Sequence, residues 1–270
     1  MMGSERFPAP WLALLGASVL AMTPAARAAP DHLPSWSDGP ARTRIVQFVE
    51  AVTDPLSQSY VPPADRVAMF DNDGTLWSEQ PLYSQAMFAL DTARAMAAAD
   101  PAIAVRAPID AASKDDLKAL AEVVALTHAD TTSDEFAARV RQWTRTARHP
   151  APQRPYTELT YLPMRELLDY LAANGFSTWI VSGGGVEFMR VFSQEIYGIP
   201  PERVIGSSIK TRYELRDGKP VIVRLLELKF AYDRGSHVGK LERGLDEAAT
   251  RGWTVISMKD AWKQVYAPAR

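Results

Sequence analysis

Apolar and polar positions divide the chain into stretches of different period. An apolar run extends from Trp11 to Met22, and a polar segment rich in Pro, Ser and Asp, Asp31 to Pro40, reads as a linker. Ile45, Val46, Phe48, Val49 and Val52 then recur at helical spacing. After Pro55, Pro62 and Pro63, the block Arg66 to Phe70 has the length and flanks of a buried strand. From about Trp77 to Pro155 the signals are helical: Gln85 to Ala99, Asp115 to Leu126, and Ser133 to Thr146, with Ser133 as the expected N-cap. No strand pattern interrupts them.

Alternation of helix and strand resumes afterwards. A helix is expected from Leu162 to Ala173, stopped at Gly175, then a strand from Phe176 to Val181 and a helix from Val186 to Tyr197. A short strand (Val204 to Ser207), a hairpin closed at Arg216-Asp217-Gly218, a helix from Val238 to Ala249 and a strand from Trp253 to Met258 follow. This pattern predicts an α/β fold with an open, mostly parallel sheet and an inserted helical cap domain, with ligands at the carboxyl ends of the strands. The expected division is 1–28, 29–76 (linker, helix and first core strand), 77–158 (helical cap) and 159–270 (the rest of the α/β core).

Composition bounds the partners. With 270 residues, 47% of them hydrophobic, the chain can bury a sizeable core plus an accessory unit. Thirty basic against 32 acidic residues leave a net charge of −2, too weak a field to point to nucleic acid or an anionic membrane. A small-molecule partner is expected instead. No cysteine is present, which rules out disulfides, thiolate metal sites and cysteine nucleophiles. Arg6, the apolar run and Ala26-Arg27-Ala28 together match a signal peptide cleaved after Ala28; the run falls short of the ~20 residues needed to span a bilayer. Export, to a periplasm or outside the cell, is therefore expected, with no stable membrane association afterwards.

The strongest chemical signal is Asp71-Asn72-Asp73-Gly74-Thr75, directly after the first strand. Two ionised carboxylates ~4 Å apart repel by about 4 kcal/mol at an intermediate dielectric, which favours a divalent cation or one retained proton. A carboxylate can attack phosphorus while a second carboxyl protonates the departing alkoxide, and Asp71 and Asp73 suit those roles. An acidic turn of ordinary composition is the bland alternative. A calcium loop is refused by Thr75 and Leu76. Ser182 closes another strand and precedes Gly183, Gly184 and Gly185, whose N–H groups, with the next helix, suit an anion. The same residues also make a plain flexible turn; as a dinucleotide fingerprint they fail at Phe188. Trp77 and Glu79 are placed near the entrance of the site. The histidines His32, His128, His149 and His237 have no metal-ligand spacing.

The segment Asp71 to Thr75 resembles the first motif of the haloacid dehalogenase superfamily, and Ser182 resembles its second. The resemblance implies a Rossmann-like core, Asp71 as nucleophile and Mg²⁺ ligand, Asp73 as acid/base lending its carbonyl to the metal, and Ser182, Gly183 and Gly184 as phosphate-binding. Carbon–halogen hydrolases lack the second Asp, so Asp73 implies a phosphate ester as substrate. The spacing between the motifs resembles phosphoserine phosphatases, with the cap after the first motif. The superfamily's Lys and its Gly-Asp-x-x-x-Asp segment find no counterpart between Gly218 and the C-terminal helix. Lys210, Lys219 or Lys229 are the candidates for the cation, and Asp260 for the missing acid. Two readings follow: an exported Mg²⁺-dependent phosphomonoesterase, or a catalytically weakened phosphate-ester-binding protein of the same fold.

Overall fold

The computed structural model describes residues 31–114, 116–229, 250 and 258–268. The first helix, α1 (Pro40–Thr53), starts earlier than the apolar period suggests, because Pro40 supplies a preset φ at its first turn. Val49 and Val52 are its buried residues. The linker before it is not a free tether: Leu33 and Trp36 are buried, and Trp36 Nε1 donates to the Pro163 carbonyl at 2.9 Å. Strand β1 (Val67–Phe70) follows, held at its start by Arg66, whose guanidinium donates to the carbonyls of Val61 and Asn174.

The helical stretch contains α2 (Ser84–Ala99), α3 (Pro101–Arg106), α4 (Ile109–Ala112), α5 (Leu117–His128) and α6 (Ser133–Thr146). The short α3 and α4 carry too few turns for a periodic signal. Asp116 caps α5. Thr132, not Ser133, caps α6, in a reciprocal box with Glu135. The apolar face of α6, Phe136, Val140 and Trp143, shares one core with Phe88 of α2 and with Leu76, Ile180 and Phe188. A second cluster joins α2, α4 and α5 through Ala89, Leu90, Ala93, Ala112, Ala119 and Val123.

Helix α7 (Leu162–Ala173) leads into β2 (Ser177–Gly185), which runs through the three glycines instead of ending at Val181. The expected helix over 186–197 is two short ones, α8 (Val186–Arg190) and α9 (Ser193–Tyr197), both packed inward by Phe188, Met189 and Tyr197. Strand β3 (Val204–Arg216) is far longer than expected, because it continues from the sheet into the hairpin with β4 (Lys219–Lys229). The turn falls at Asp217 and Gly218, with φ of 51° and 73°, as a two-residue hairpin turn with both central residues at positive φ requires.

The sheet order is β1-β2-β3-β4, with β1–β2 and β2–β3 parallel and β3–β4 antiparallel. Phe70 pairs with Ile180, and Ile180 with Val204, so β1 ends alongside Ile180 while β2 runs on in the same direction to Gly185. The molecule is an α/β protein, and among the described residues its sheet is four-stranded and mostly parallel, with helices. One face of β1 is open, with Val67 and Met69 48% and 69% exposed, where the apolar run had the length and flanks of a buried strand. The hairpin bends toward the helical stretch: Val223 bridges Thr132, and Arg224 exchanges backbone hydrogen bonds with Asp130 and Thr131. Of the C-terminal elements expected from the sequence, the helix over 238–249 and the strand over 253–257 lie outside the described residues. Met258 begins a short helix, α10 (Met258–Ala261). No helix among the described residues is long and apolar enough to cross a membrane.

Candidate active site

The turn after β1 is wound tightly around one carbonyl. The Asn72 carbonyl accepts from the amides of Thr75, Leu76 and Trp77, and the Gly74 amide donates to the Trp77 carbonyl at 2.7 Å. Gly74 sits at φ +73°, which favours glycine; a Cβ there would stand 2.8 Å from the Glu79 carboxylate, a side-chain end that can move aside. Asn72 is itself buried, its Oδ1 accepting from the Tyr197 hydroxyl at 3.2 Å. The residue between the two aspartates is thereby anchored from α9, and the flanking side chains are held in place.

Asp71 is half-buried and accepts the Asn72 amide at 2.7 Å. Asp73 Oδ1 accepts from Asn72 Nδ2 at 3.3 Å and from Ser84 Oγ at 3.4 Å. Burial first, and the neighbouring Asp71 charge second, push the Asp73 carboxyl up to about 7; the two hydrogen bonds only partly offset this. The pair thus splits into one carboxyl able to keep its proton near neutrality and one partner beside it. Ser182 is brought to the same place: a methyl group at Gly184 would lie 3.6 Å from Ser182 Oγ and 3.7 Å from Asp73 Oδ2. The Gly184 amide points back to Ser182 Oγ at 3.2 Å, and Ser207 Oγ holds the Gly183 carbonyl at 2.8 Å.

Other sequence-predicted residues fall elsewhere. Trp77 does not line the entrance; it is fully buried, edge-on to Phe192 at 4.7 Å, because the strand-end turn folds it under the site. Glu79 does stand against the turn, through its contact with Gly74. Lys210 and Lys219 are exposed on the hairpin, the Lys229 side chain lies outside the described residues, and Asp260 is exposed on α10. Among the described residues no three groups from His, Cys, Asp and Glu converge as metal ligands, so Asp260 does not join Asp71 and Asp73 in such a cluster. Mg²⁺ wants near-octahedral oxygen coordination. The donors among the described residues, the Asp71 carboxylate and the Asp73 carbonyl, do not by themselves make up that set. His149 bonds the Gln80 carbonyl and the Ala151 amide, and His128 is buried in the helical stretch, whereas His237 lies outside the described residues. Ser84 and Gln85 escaped the sequence reading. Their only signal was position: they open the first helix after the motif.

The sequence profile of haloacid dehalogenase-like hydrolases matches residues 68–251, and the chain belongs to that family. Among solved structures it is similar to a Bordetella pertussis Tohama I protein of unknown function, at 22% identity over 69% of this chain and 75% of that one, with a TM-score of 0.41. A phosphoserine phosphohydrolase-like protein from Francisella tularensis is 18% identical over 71% of this chain and 74% of its own, with a TM-score of 0.32. A probable phosphoserine phosphatase from Vibrio cholerae is 16% identical over 78% and 51%, with a TM-score of 0.36. No curated protein matches the chain.

Proposed function

We propose that this hydrolase is an exported phosphohydrolase that cleaves small phosphate monoesters through an aspartyl-phosphate intermediate. The observation that carries the reading is the split pair: Asp73, held protonated up to about pH 7, shares the Gly184 corner with the Ser182 hydroxyl, beside Asp71. In the first step an Asp71 carboxylate oxygen bonds to phosphorus, the ester P–O bond breaks, and the departing alkoxide takes the Asp73 proton. In the second, Asp73, now a carboxylate, accepts a proton from water as that water attacks phosphorus and the bond to Asp71 breaks. Ser182 and the Gly183 and Gly184 amides would hold the phosphoryl oxygens.

Members of this superfamily typically use Mg²⁺, but the described donors do not complete its site, and the steps above are written for the chain's own groups. Export is supported by Arg6, the apolar run from Trp11 to Met22 and Ala26-Arg27-Ala28. The test is phosphate release from a generic aryl phosphate, with and without added Mg²⁺, by the wild type and Asp71→Asn. Release by the wild type alone is expected. No release above the variant, with inorganic phosphate still bound in calorimetry, would replace the reading by a phosphate-ester-binding protein of the same fold, an alternative that the lack of a third acidic ligand among the described residues favours.

A further inference from the structure

Gln85 follows Ser84 in the first turn of α2 and reaches the other motif loop: the Gly185 amide donates to its Oε1 at 2.7 Å. Its Nε2 lies 3.1 Å from Nε2 of His128, at the end of α5. The Gly185 N–H is a fixed donor, so the Gln85 oxygen must face it and the Gln85 NH₂ must face the imidazole. Nε2 of His128 is then an acceptor, and the ring carries its proton on Nδ1. The far end agrees: Thr127 Oγ1 donates its single proton to the Val123 carbonyl at 2.8 Å, and at 2.9 Å from His128 Nδ1 it accepts.

The surroundings keep the ring in that form. His128 is 2% exposed, with Phe136 at 4.8 Å and Phe88 at 5.6 Å, and Arg224 of β4 and Arg139 of α6 are the charges that face it. Desolvation, followed by these two guanidiniums, lowers its pKa to about 3. Arg224 also clamps the end of α5, its Nε donating to the His128 carbonyl at 3.0 Å. Contact at the other end is equally tight, since a Cβ at Gly185 would stand 2.5 Å from Gln85 Nε2.

We infer that Gln85 and His128 are positioning residues, which hold the Gly185 amide in a fixed hydrogen bond and so set the 182–185 loop from the helical stretch. The Gly185 amide is thereby withheld from the anion, and the Gly184 amide is turned to Ser182 Oγ, whose hydroxyl proton is left to reach that anion. The proposal rests on the phosphohydrolase reading only for what the loop binds.

Three measurements on the full chain test it. Histidine side-chain ¹⁵N spectra, with His128→Gln identifying the signal, should show a neutral ring protonated on Nδ1 throughout pH 5 to 8. A titrating or Nε2-protonated ring overturns the relay. Hydrogen exchange at Gly185 should quicken about tenfold in Gln85→Leu, the scale of one lost net hydrogen bond, and stay within about threefold of wild type in His128→Gln, which keeps an acceptor. Unchanged exchange in Gln85→Leu refutes the positioning role. Inorganic phosphate should bind Gln85→Leu about five- to tenfold more weakly; equal affinity despite faster Gly185 exchange also refutes it. If wild type binds no phosphate, the proposed function fails, while the ring tautomer and the Gly185 exchange still decide the relay.

Discussion

Asp73→Asn isolates the energetic cost of the acid at the centre of the proposed chemistry. Burial and the neighbouring Asp71 push the native carboxyl up to about 7, against 3.8 without the fold. Because the folded value is the higher one, the protonated acid fits the fold at no electrostatic cost below about pH 4. Stability is then lost progressively as pH rises toward 7, where the native group ionises in turn and the loss levels off. At ~1.4 kcal/mol per unit, the expected cost of Asp73 is about 2 kcal/mol at pH 5 and about 4 kcal/mol at pH 8. Asparagine keeps an oxygen for Asn72 Nδ2 and Ser84 Oγ and cannot ionise. Urea unfolding of both proteins at pH 5 and pH 8 reads the difference directly: the variant should gain about 2 kcal/mol more over wild type at pH 8 than at pH 5. Phosphate release should meanwhile fall about 10²- to 10⁴-fold, since no group donates to the leaving oxygen. An identical stability difference at the two pH values would show that Asp73 is not the perturbed acid, and the division of labour with Asp71 would fall with it.

Three further substitutions probe the scaffold. Tyr197→Phe removes the hydroxyl that holds Asn72 Oδ1 and should cost about 1 to 3 kcal/mol in chemical unfolding, since a buried acceptor is left unpaired, with a loss of any phosphatase rate measured alongside. Gly206→Ala sets a methyl 2.6 Å from the Gly184 carbonyl, so backbone must move; about 1 to 3 kcal/mol of destabilisation is expected, together with weaker binding of inorganic phosphate at the adjoining loop. Thr132→Ala breaks the capping box of α6 and should lower stability by about 1 kcal/mol without changing phosphate affinity, which thermal unfolding and calorimetry together check.

The parts of this protein that were legible in its sequence are those fixed by local pattern. The strand before Asp71, the helices over 84–99, 117–128, 133–146 and 162–173, and the Asp217-Gly218 turn each carry their own periodic or turn signal. What escaped depends on distant residues. Whether β2 stops at Val181 or continues to Gly185 is decided by its pairing with β3, and Gly185 pairs with Ser207. The break between α8 and α9 is decided by packing of Phe188, Met189 and Phe192 in a core that no single window reveals.

The same distinction explains the site. Asp71, Asp73 and Ser182 stand out because their types and spacing are unusual at strand ends, but the groups that set their behaviour are ordinary residues. Ser84 and Gln85 look like any helix start, yet one bonds the acid and the other bonds the glycine loop. Through them a single helical turn touches both motif loops, so a displacement of α2 would alter the environment of the Asp73 proton and the loop that faces it together. A carboxyl pushed up to about 7 by burial keeps that value only while it stays buried. The helical stretch therefore does more than stand beside the sheet: the Ser84 hydrogen bond from its first turn draws the Asp73 carboxyl back from the higher value that burial and Asp71 alone would give.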